Sequence, residues 1–127
     1  MSNREVVILS GVRTAIGDYG GSLKDIPPSE LGAKVLREAV ARAKVDPASV
    51  GQVVIGNVIH TEPRDMYVSR VAAIQAGIPV ETPAMNVNRL CGSGVQAIVS
   101  AAQALMPIFS RALITWPPRT GAGSQPA

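Results

Sequence analysis

The sequence predicts an α/β fold in which strands alternate with helices. Three times along the chain, a short run of apolar and β-branched residues is followed by a stretch with apolar residues at helical spacing. A βαβαβα order requires crossover connections, so we expect a mostly parallel sheet covered by helices. With 127 residues, of which 46% are hydrophobic and 17% charged, the chain suits one modest domain with a packed interior.

The predicted strands are three apolar runs. Residues 4–10 form the first, a buried strand that ends before a loop rich in Gly and Pro. Residues 52–59 are almost continuously apolar, which is typical of a parallel strand covered on both faces. Residues 84–87 form the third strand, which leads directly into the segment around the single cysteine, Cys91.

Each predicted helix follows one of these runs. The first begins with Ser29 as its N-cap and ends near Lys44. The second covers residues 65–76, with Met66, Arg70, Val71 and Ile74 at compatible spacing, and is closed by a Gly and a Pro. The third follows Cys91, and its apolar face consists of Val95, Ile98, Val99, Ala102 and Leu105.

Charge and composition exclude several classes of function. The formal net charge is +3, but residues 1–106 hold ten basic and nine acidic side chains, and Arg111 and Arg119 supply the rest. No basic run or basic-aromatic alternation is present, so no nucleic-acid partner is expected. One cysteine and no secretory leader indicate a cytoplasmic protein, and no apolar run is long enough for a membrane span.

The sequence changes character after Met106. Residues 107–127 contain four of the ten prolines and the only Phe and Trp. We therefore predict a partial domain over residues 1–106 and an atypical tail over 107–127, either disordered or derived from a frameshift. Residues 111–116 are the exception, since they are β-prone enough to pair with an open strand edge.

Cys91 is the candidate nucleophile because it lies between a predicted strand and a predicted helix. Backbone N–H groups and the positive end of the helix dipole favour a thiolate there. Gly92 and Gly94 leave room for a bulky acyl group, and the Cys91 N–H is placed to donate to an oxyanion. A lone cysteine is commonly a small buried hydrophobe instead, but the glycines and the turn favour the nucleophile.

The segment Asn88-Arg89-Leu90-Cys91-Gly92-Ser93-Gly94-Val95-Gln96-Ala97-Ile98 resembles the nucleophile segment of thiolases, the acetyl-CoA acyltransferases. Residues 10–17 with 20–23, and 56–59 with 70–73, are similar to further thiolase segments in the same order. The resemblance covers residues 4 to about 106. Residues 61–67 resemble the corresponding loop of short-chain β-ketothiolases.

The resemblance implies acyl transfer between CoA thioesters. Cys91 would carry the acyl group as a thioester, either in acetyl-CoA condensation or in thiolysis of a 3-oxoacyl-CoA, as part of fatty acid metabolism. CoA and acyl-CoA would be substrates, with no bound cofactor and no metal. The family also implies a homo-oligomer or pairing with other thiolase subunits.

The family places a catalytic His and a second catalytic Cys in its C-terminal half, and neither motif is present here. The single histidine, His60, lies in a loop and is more readily explained as a solvated residue than as a substitute base. Arg13, Arg64 and Arg70 are candidates for CoA phosphates, against the simpler interpretation of solvated or structural side chains.

Two hypotheses follow from these observations. In the first, the chain is part of a thiolase enzyme, truncated or frameshifted after about residue 106, that is inactive alone although it carries the nucleophile. In the second, it is a non-catalytic module that binds intact thiolase subunits through its sheet.

Overall fold

The computed structural model of the chain describes residues 5–106. Their helices are α1 (Pro28–Ala43), α2 (Val68–Gln75) and α3 (Ser93–Leu105), with 3₁₀ turns at Pro47–Ser49 and Pro63–Tyr67. The strands β1 (Val53–Gly56) and β2 (Ala84–Val87) pair in parallel. The α/β class and the incomplete, parallel sheet are therefore confirmed, with two strands among the described residues.

The two faces of the sheet carry different helices. Val53 and Ile55 point to the face where α1 and α2 lie, because Val53 packs with Ala73 and Ile78 in the core. Val54 and Gly56 alternate to the opposite face, and a Cβ placed on Gly56 would lie 2.7 Å from backbone atoms at the start of α3. The sheet is thus sandwiched between an α1/α2 layer and α3.

Small residues let α1 and α2 approach closely. A Cβ on Gly32 would lie 3.1 Å from the Cβ of Ala72, which is itself 0% exposed. Ala33 and Ala73 are also buried. A chain with 3% aromatic residues fills this layer by close approach rather than by large side chains.

The predicted first strand is wrong for the residues that the structure describes. Residues 5–10 form no strand, and Val7, Ile8 and Leu9 are exposed. The segment is tied instead to α1, since the Ser10 hydroxyl donates to Ala39 O at 2.7 Å. An apolar run becomes a strand only when a neighbouring strand takes its N–H and C=O groups, and neither β1 nor β2 pairs with it.

Two details of the helix predictions are also corrected. The α1 helix begins at Pro28, with Pro27 at the N-cap position, because a proline at the first helical position already has helical φ. Ser29 is therefore inside the helix and buried rather than the cap. The end near Lys44 is confirmed, since Lys44 closes α1 in the left-handed conformation with φ 54°.

The α2 helix begins later than predicted. A 3₁₀ turn precedes its start at Val68. Its buried residues are Val68, Ser69, Ala72 and Ala73. Met66 and Ile74, which belonged to the predicted helical spacing, are exposed.

The predicted helix after Cys91 is confirmed as α3, but its predicted apolar face is not covered. Val95, Ile98 and Val99 are 66%, 58% and 42% exposed, whereas Ser93 and Ala97 are buried against the sheet. The apolar stripe therefore points away from the part of the chain that the structure describes.

The predictions for residues 107–127, including strand pairing by residues 111–116, lie outside the described residues. Within residues 5–106, no helix is long and apolar enough to cross a membrane.

Candidate active site

Cys91 lies at the edge of the sheet where both parallel strands end. It is exposed, follows the end of β2 by four residues and precedes the first residue of α3 by two. The two strand ends are joined there, since Asn57 N donates to Val87 O at 3.0 Å and Asn88 Nδ2 donates to Val58 O at 3.3 Å. The predicted strand-to-helix position of Cys91 is confirmed. Its exposure means that the interpretation as a buried hydrophobe does not apply.

The turn that carries Cys91 is held by side chains on both sides of it. Asn88 Oδ1 accepts from Leu90 N at 3.1 Å, the usual Asx turn. The Ser93 hydroxyl accepts from Arg89 N at 2.8 Å and donates to Leu90 O at 2.7 Å. Leu90 itself has φ 47°, a left-handed backbone conformation that residues other than glycine rarely adopt. Cys91 therefore follows a backbone reversal with fixed geometry.

The first turn of α3 lies beside the thiol. Gln96 N makes the first intrahelical bond, to Gly92 O at 2.9 Å, so the N–H groups of Gly94 and Val95 have no intrahelical acceptor. Gly94 borders open space, since a Cβ there would meet nothing within 4 Å. N–H groups without an intrahelical acceptor at a helix N-terminus favour an anionic group, and Cys91 precedes the start of this helix by two residues.

Hydrogen bonds of polar side chains connect the segment that follows β1 to strand β2. Asn86, on β2, donates through Nδ2 to Met66 O at 2.9 Å and accepts from Ser69 N at 2.9 Å. The carboxylate of Asp65 accepts from Thr61 N at 2.6 Å and from Thr61 Oγ1 at 2.8 Å. These bonds fix the loop that returns from β1 into α2.

Asp65 is the one charged side chain among the described residues that is completely inaccessible to solvent. Burial raises the pKa of its carboxyl, but hydrogen bonds from Thr61 and Glu62 and the nearby His60 outweigh burial, and the pKa lies below its ordinary value of 3.8. Burial is the largest single influence, but the hydrogen bonds and His60 together exceed it. Asp65 is therefore ionised in the folded chain at neutral pH.

The remaining candidates from the sequence make no hydrogen bond to the turn at residues 88–93 that carries Cys91. His60 is exposed and lies near the Asp65 carboxylate. Arg70 holds the chain before β2, donating to Val80 O at 2.6 Å and to Thr82 O at 2.9 Å, which is a structural role. Arg13 donates to Thr14 O, and Arg64 is exposed.

A cleft of about 460 Å³ lies elsewhere, between the loop before α1 and α1 itself. Arg13, Lys34 and Arg42 are among its lining residues, and residues 88–93 are not. This cleft is therefore separate from the cysteine turn, which is the segment of residues 88–93 that carries Cys91.

The described residues contain no cluster of three or more His, Cys, Asp or Glu side chains able to hold a metal ion. The expectation that this protein uses no metal and no bound cofactor stays a prediction.

Sequence reasoning missed the residues that shape the turn. Ser93, Leu90 and Asn88 were treated only as part of a resemblance, although an Asn two residues before a turn position is a recognisable Asx-turn signal. Asp65 was missed as well, because no pattern in the sequence indicates that a loop carboxylate will be buried.

Comparison with known proteins matches the described elements. The family profile "Thiolase, N-terminal domain" matches residues 6–113, a range that includes Cys91. Beta-ketothiolase BktB of Cupriavidus necator is 67% identical over 103 residues, which is 81% of this chain and 26% of that protein. An acetyl-CoA acetyltransferase of the same organism is 48% identical over 102 residues, covering 80% of this chain and 26% of that one.

Solved structures give the same result. The Bacillus anthracis acetyl-CoA acetyltransferase superposes with a TM-score of 0.73 at 42% identity, over 77% of this chain and 25% of that one. Human mitochondrial 3-ketoacyl-CoA thiolase in complex with CoA gives a TM-score of 0.67 at 42% identity, over 69% of this chain and 22% of that one. The chain spans about a quarter of the length of the curated relatives it matches. It belongs to the thiolase family and corresponds to the N-terminal domain of those enzymes.

Proposed function

We propose that Cys91 is the acyl-accepting nucleophile of a thiolase-type acyltransferase. The observation that carries this proposal is the position of the chain's one thiol, exposed in a rigid turn at the start of α3 within the thiolase match. A thiolate is the reactive form of cysteine, and free N–H donors at a helix N-terminus stabilise negative charge.

The proposed step is a transthioesterification. The Cys91 thiolate attacks the carbonyl carbon of an acyl-CoA, so the new bond joins Cys91 Sγ to the acyl carbon. The bond between that carbon and the CoA sulfur breaks, and CoA leaves as a thiolate that takes a proton from solvent. The Cys91 N–H is the proposed donor to the oxyanion of the tetrahedral intermediate.

The substrate class follows from the relatives. Those with the matches reported above are named as a beta-ketothiolase and as acetyl-CoA acetyltransferases, which supports short-chain acyl-CoA and CoA as substrates. A place in fatty acid metabolism and a cytoplasmic location belong to the same proposal.

The second half of the thiolase reaction needs a base that removes a proton from the α-carbon of an acetyl group. These 127 residues contain one cysteine and one histidine, and His60 lies by Asp65 rather than in the cysteine turn. We therefore expect the chain alone to accept an acyl group and to show negligible turnover.

Mass spectrometry after incubation with acetyl-CoA tests this proposal. We expect one acetyl group on Cys91, released by neutral hydroxylamine as a thioester is, and none in a Cys91→Ala variant. Acetylation of lysine alone, which hydroxylamine does not remove, would contradict the proposal. The same incubation of the unfolded chain in urea is the control, because it shows how much the folded turn contributes to the acetylation of Cys91.

A second function is favoured by the exposed apolar face of α3. Val95, Ile98 and Val99 form a continuous surface on a helix without a charged residue, and surfaces of this kind are used for protein association. The chain would then act as a module that pairs with itself or with intact thiolase subunits.

Sedimentation velocity of the chain, alone and with an intact thiolase, tests the second function. A complex that is lost in an Ile98→Asp variant supports it. A monomer that binds no thiolase contradicts it, whether or not Cys91 is acetylated.

A further inference from the structure

Leu90 is unusual among the described residues in its backbone. Only it and Lys44 have positive φ without being glycine, and Lys44 closes a helix, where that conformation is common. Leu90 is a bulky residue directly before the nucleophile, with φ 47° and a side chain that is 69% exposed. Packing of the side chain therefore does not hold the backbone in this strained region.

Hydrogen bonds hold it instead. Leu90 N donates to Asn88 Oδ1 at 3.1 Å. Leu90 O accepts twice from one residue, from the Ser93 hydroxyl at 2.7 Å and from Ser93 N at 3.0 Å. Both main-chain groups of the strained residue are thus fixed, and its carbonyl is fixed by Ser93 alone.

The Ser93 side chain closes the turn from its other end as well. Its oxygen accepts from Arg89 N at 2.8 Å while it donates to Leu90 O, so one hydroxyl joins the peptide group before Arg89 to the one after Leu90. Alanine at this position would leave Arg89 N–H without its acceptor and Leu90 O with one donor instead of two. A hydroxyl is the smallest group that both donates and accepts.

Ser93 is itself held in place from below. It is 5% exposed, and a Cβ on Gly56 would lie 2.7 Å from its backbone C and O atoms, so β1 lies directly beneath it. The residue whose hydroxyl bonds to Arg89 N and Leu90 O therefore packs against the sheet through its backbone. Cys91 lies between Leu90 and Ser93, the two residues that the hydroxyl bond joins.

We propose that Ser93 is a positioning residue, whose hydroxyl holds Leu90 in the left-handed conformation and so presents the Cys91 thiol at the N-terminus of α3. The inference rests on the proposed function, because the presentation of the thiol matters only if Cys91 reacts. The competing explanation is that Ser93 merely stabilises the start of α3. A stabilising residue would affect the unfolding free energy without affecting the reactivity of the folded chain.

Alkylation of Cys91 separates the two explanations. The full 127-residue chain has one cysteine, so iodoacetamide reports on it alone. The measured quantity is the alkylation rate of the folded chain divided by that of the same variant in urea. We expect Ser93→Ala to lower this ratio about tenfold, because small displacements of a reactive group have large kinetic effects.

Rescue variants test the mechanism. Ser93→Thr keeps a hydroxyl and should retain the ratio. Leu90→Gly combined with Ser93→Ala should restore it to within about twofold, because glycine adopts positive φ without strain. Ser100→Ala is the matched control, since it removes a hydroxyl that accepts from Gln96 Nε2 at 3.2 Å within the same helix, and it should leave the ratio unchanged.

The proposal is overturned if Ser93→Ala lowers stability but leaves the ratio intact, or if the double variant keeps the low ratio. Should Ser93→Ala fail to fold, the double variant and Ser93→Thr decide by the same measure. Acetylation by acetyl-CoA is recorded separately. A chain that is alkylated as expected but never acetylated would contradict the proposed function and leave the positioning role of Ser93 standing.

Discussion

The two faces of the sheet carry helices with similar apolar patterns but opposite burial. On the α1/α2 face, Ala72 and Ala73 are 0% and 1% exposed. On the α3 face, Val95 and Ile98 are 66% and 58% exposed, although they are larger and more hydrophobic. The pattern along a helix therefore identifies its apolar side but not whether another part of the protein covers that side.

The two faces also differ in the properties that we expect substitutions to change. The α1/α2 layer stabilises the described domain, whereas α3 has Cys91 just before its N-terminus and an uncovered surface along its length. Substitutions on the first face should therefore affect folding, and substitutions on the second face should affect association and chemistry.

The largest difference between the two faces is expected when a carboxylate is placed on each of them. Ala72→Asp would bury a charge between α1 and β1 without a partner, at a cost of about 3–5 kcal/mol, which we expect to unfold the chain. Ile98→Asp would place the same charge in solvent and keep the fold. Far-UV circular dichroism and urea titration measure both variants. Equal losses would show that α3 is covered after all.

A methyl group at the junction of the sheet and α3 should have the next largest effect. Gly56→Ala places its Cβ 2.7 Å from the Ser93 backbone, so we expect a loss of about 3 kcal/mol from overpacking. Gly94→Ala is the control, because a Cβ there meets nothing within 4 Å. Urea unfolding should show it to be neutral or slightly stabilising. A tolerated Gly56→Ala would mean that α3 is not held tightly on β1.

Asp65 tests the loop that links β1 to α2. Asp65→Asn should cost about 1–2 kcal/mol at neutral pH, because Thr61 and Glu62 lose an ionised acceptor. The pKa of the carboxyl is lower in the folded chain than its ordinary 3.8. Its contribution is therefore complete above that pH and is lost as the pH falls through the folded value.

Unfolding free energies of the native chain and of Asp65→Asn, measured as the pH is lowered, check this expectation. The gap between the two should shrink in acid. Thr61→Val removes one hydrogen bond but keeps the charge, so it should retain the pH dependence. A gap that is independent of pH would contradict an ionised Asp65.

The smallest effect is expected for neutral substitution on the α3 face. Val99→Ser should change stability by less than about 0.5 kcal/mol, because Val99 is 42% exposed and the two residues have similar helix propensities. Self-association, measured by sedimentation, should decrease. Val68→Ser, at a position 3% exposed on α2, is the matched substitution on the other face, and it should cost about 2 kcal/mol.

Sequence reasoning succeeded where local signals determine the outcome. The strand at residues 84–87, the end of α1 near Lys44 and a helix after Cys91 were all predicted, because short apolar runs, a proline beyond a helix and apolar periodicity are local signals. The run at residues 5–10 failed, because a strand depends on a neighbour that no local pattern specifies.

The candidate site, too, could be predicted only in part from the sequence. The position of Cys91 between a strand and a helix could be predicted from the sequence. The two hydrogen bonds of the Ser93 hydroxyl could not, because they depend on φ at Leu90 and on the contact with Gly56. Geometry of this kind arises from packing between segments that lie far apart in the sequence.

The parallel register of β1 and β2 also bears on the order of folding. Val53 pairs with Ala84 and Gly56 with Val87, so the pairing joins residues that lie on either side of α2 in the sequence. Contacts between distant residues form slowly, whereas the turns of α1 and α2 are local. Because Ser93 needs Gly56 beneath it, we expect the cysteine turn to be completed late in refolding. Pulses of iodoacetamide during refolding would time this event, as the alkylation rate of Cys91 changes from its unfolded to its native value.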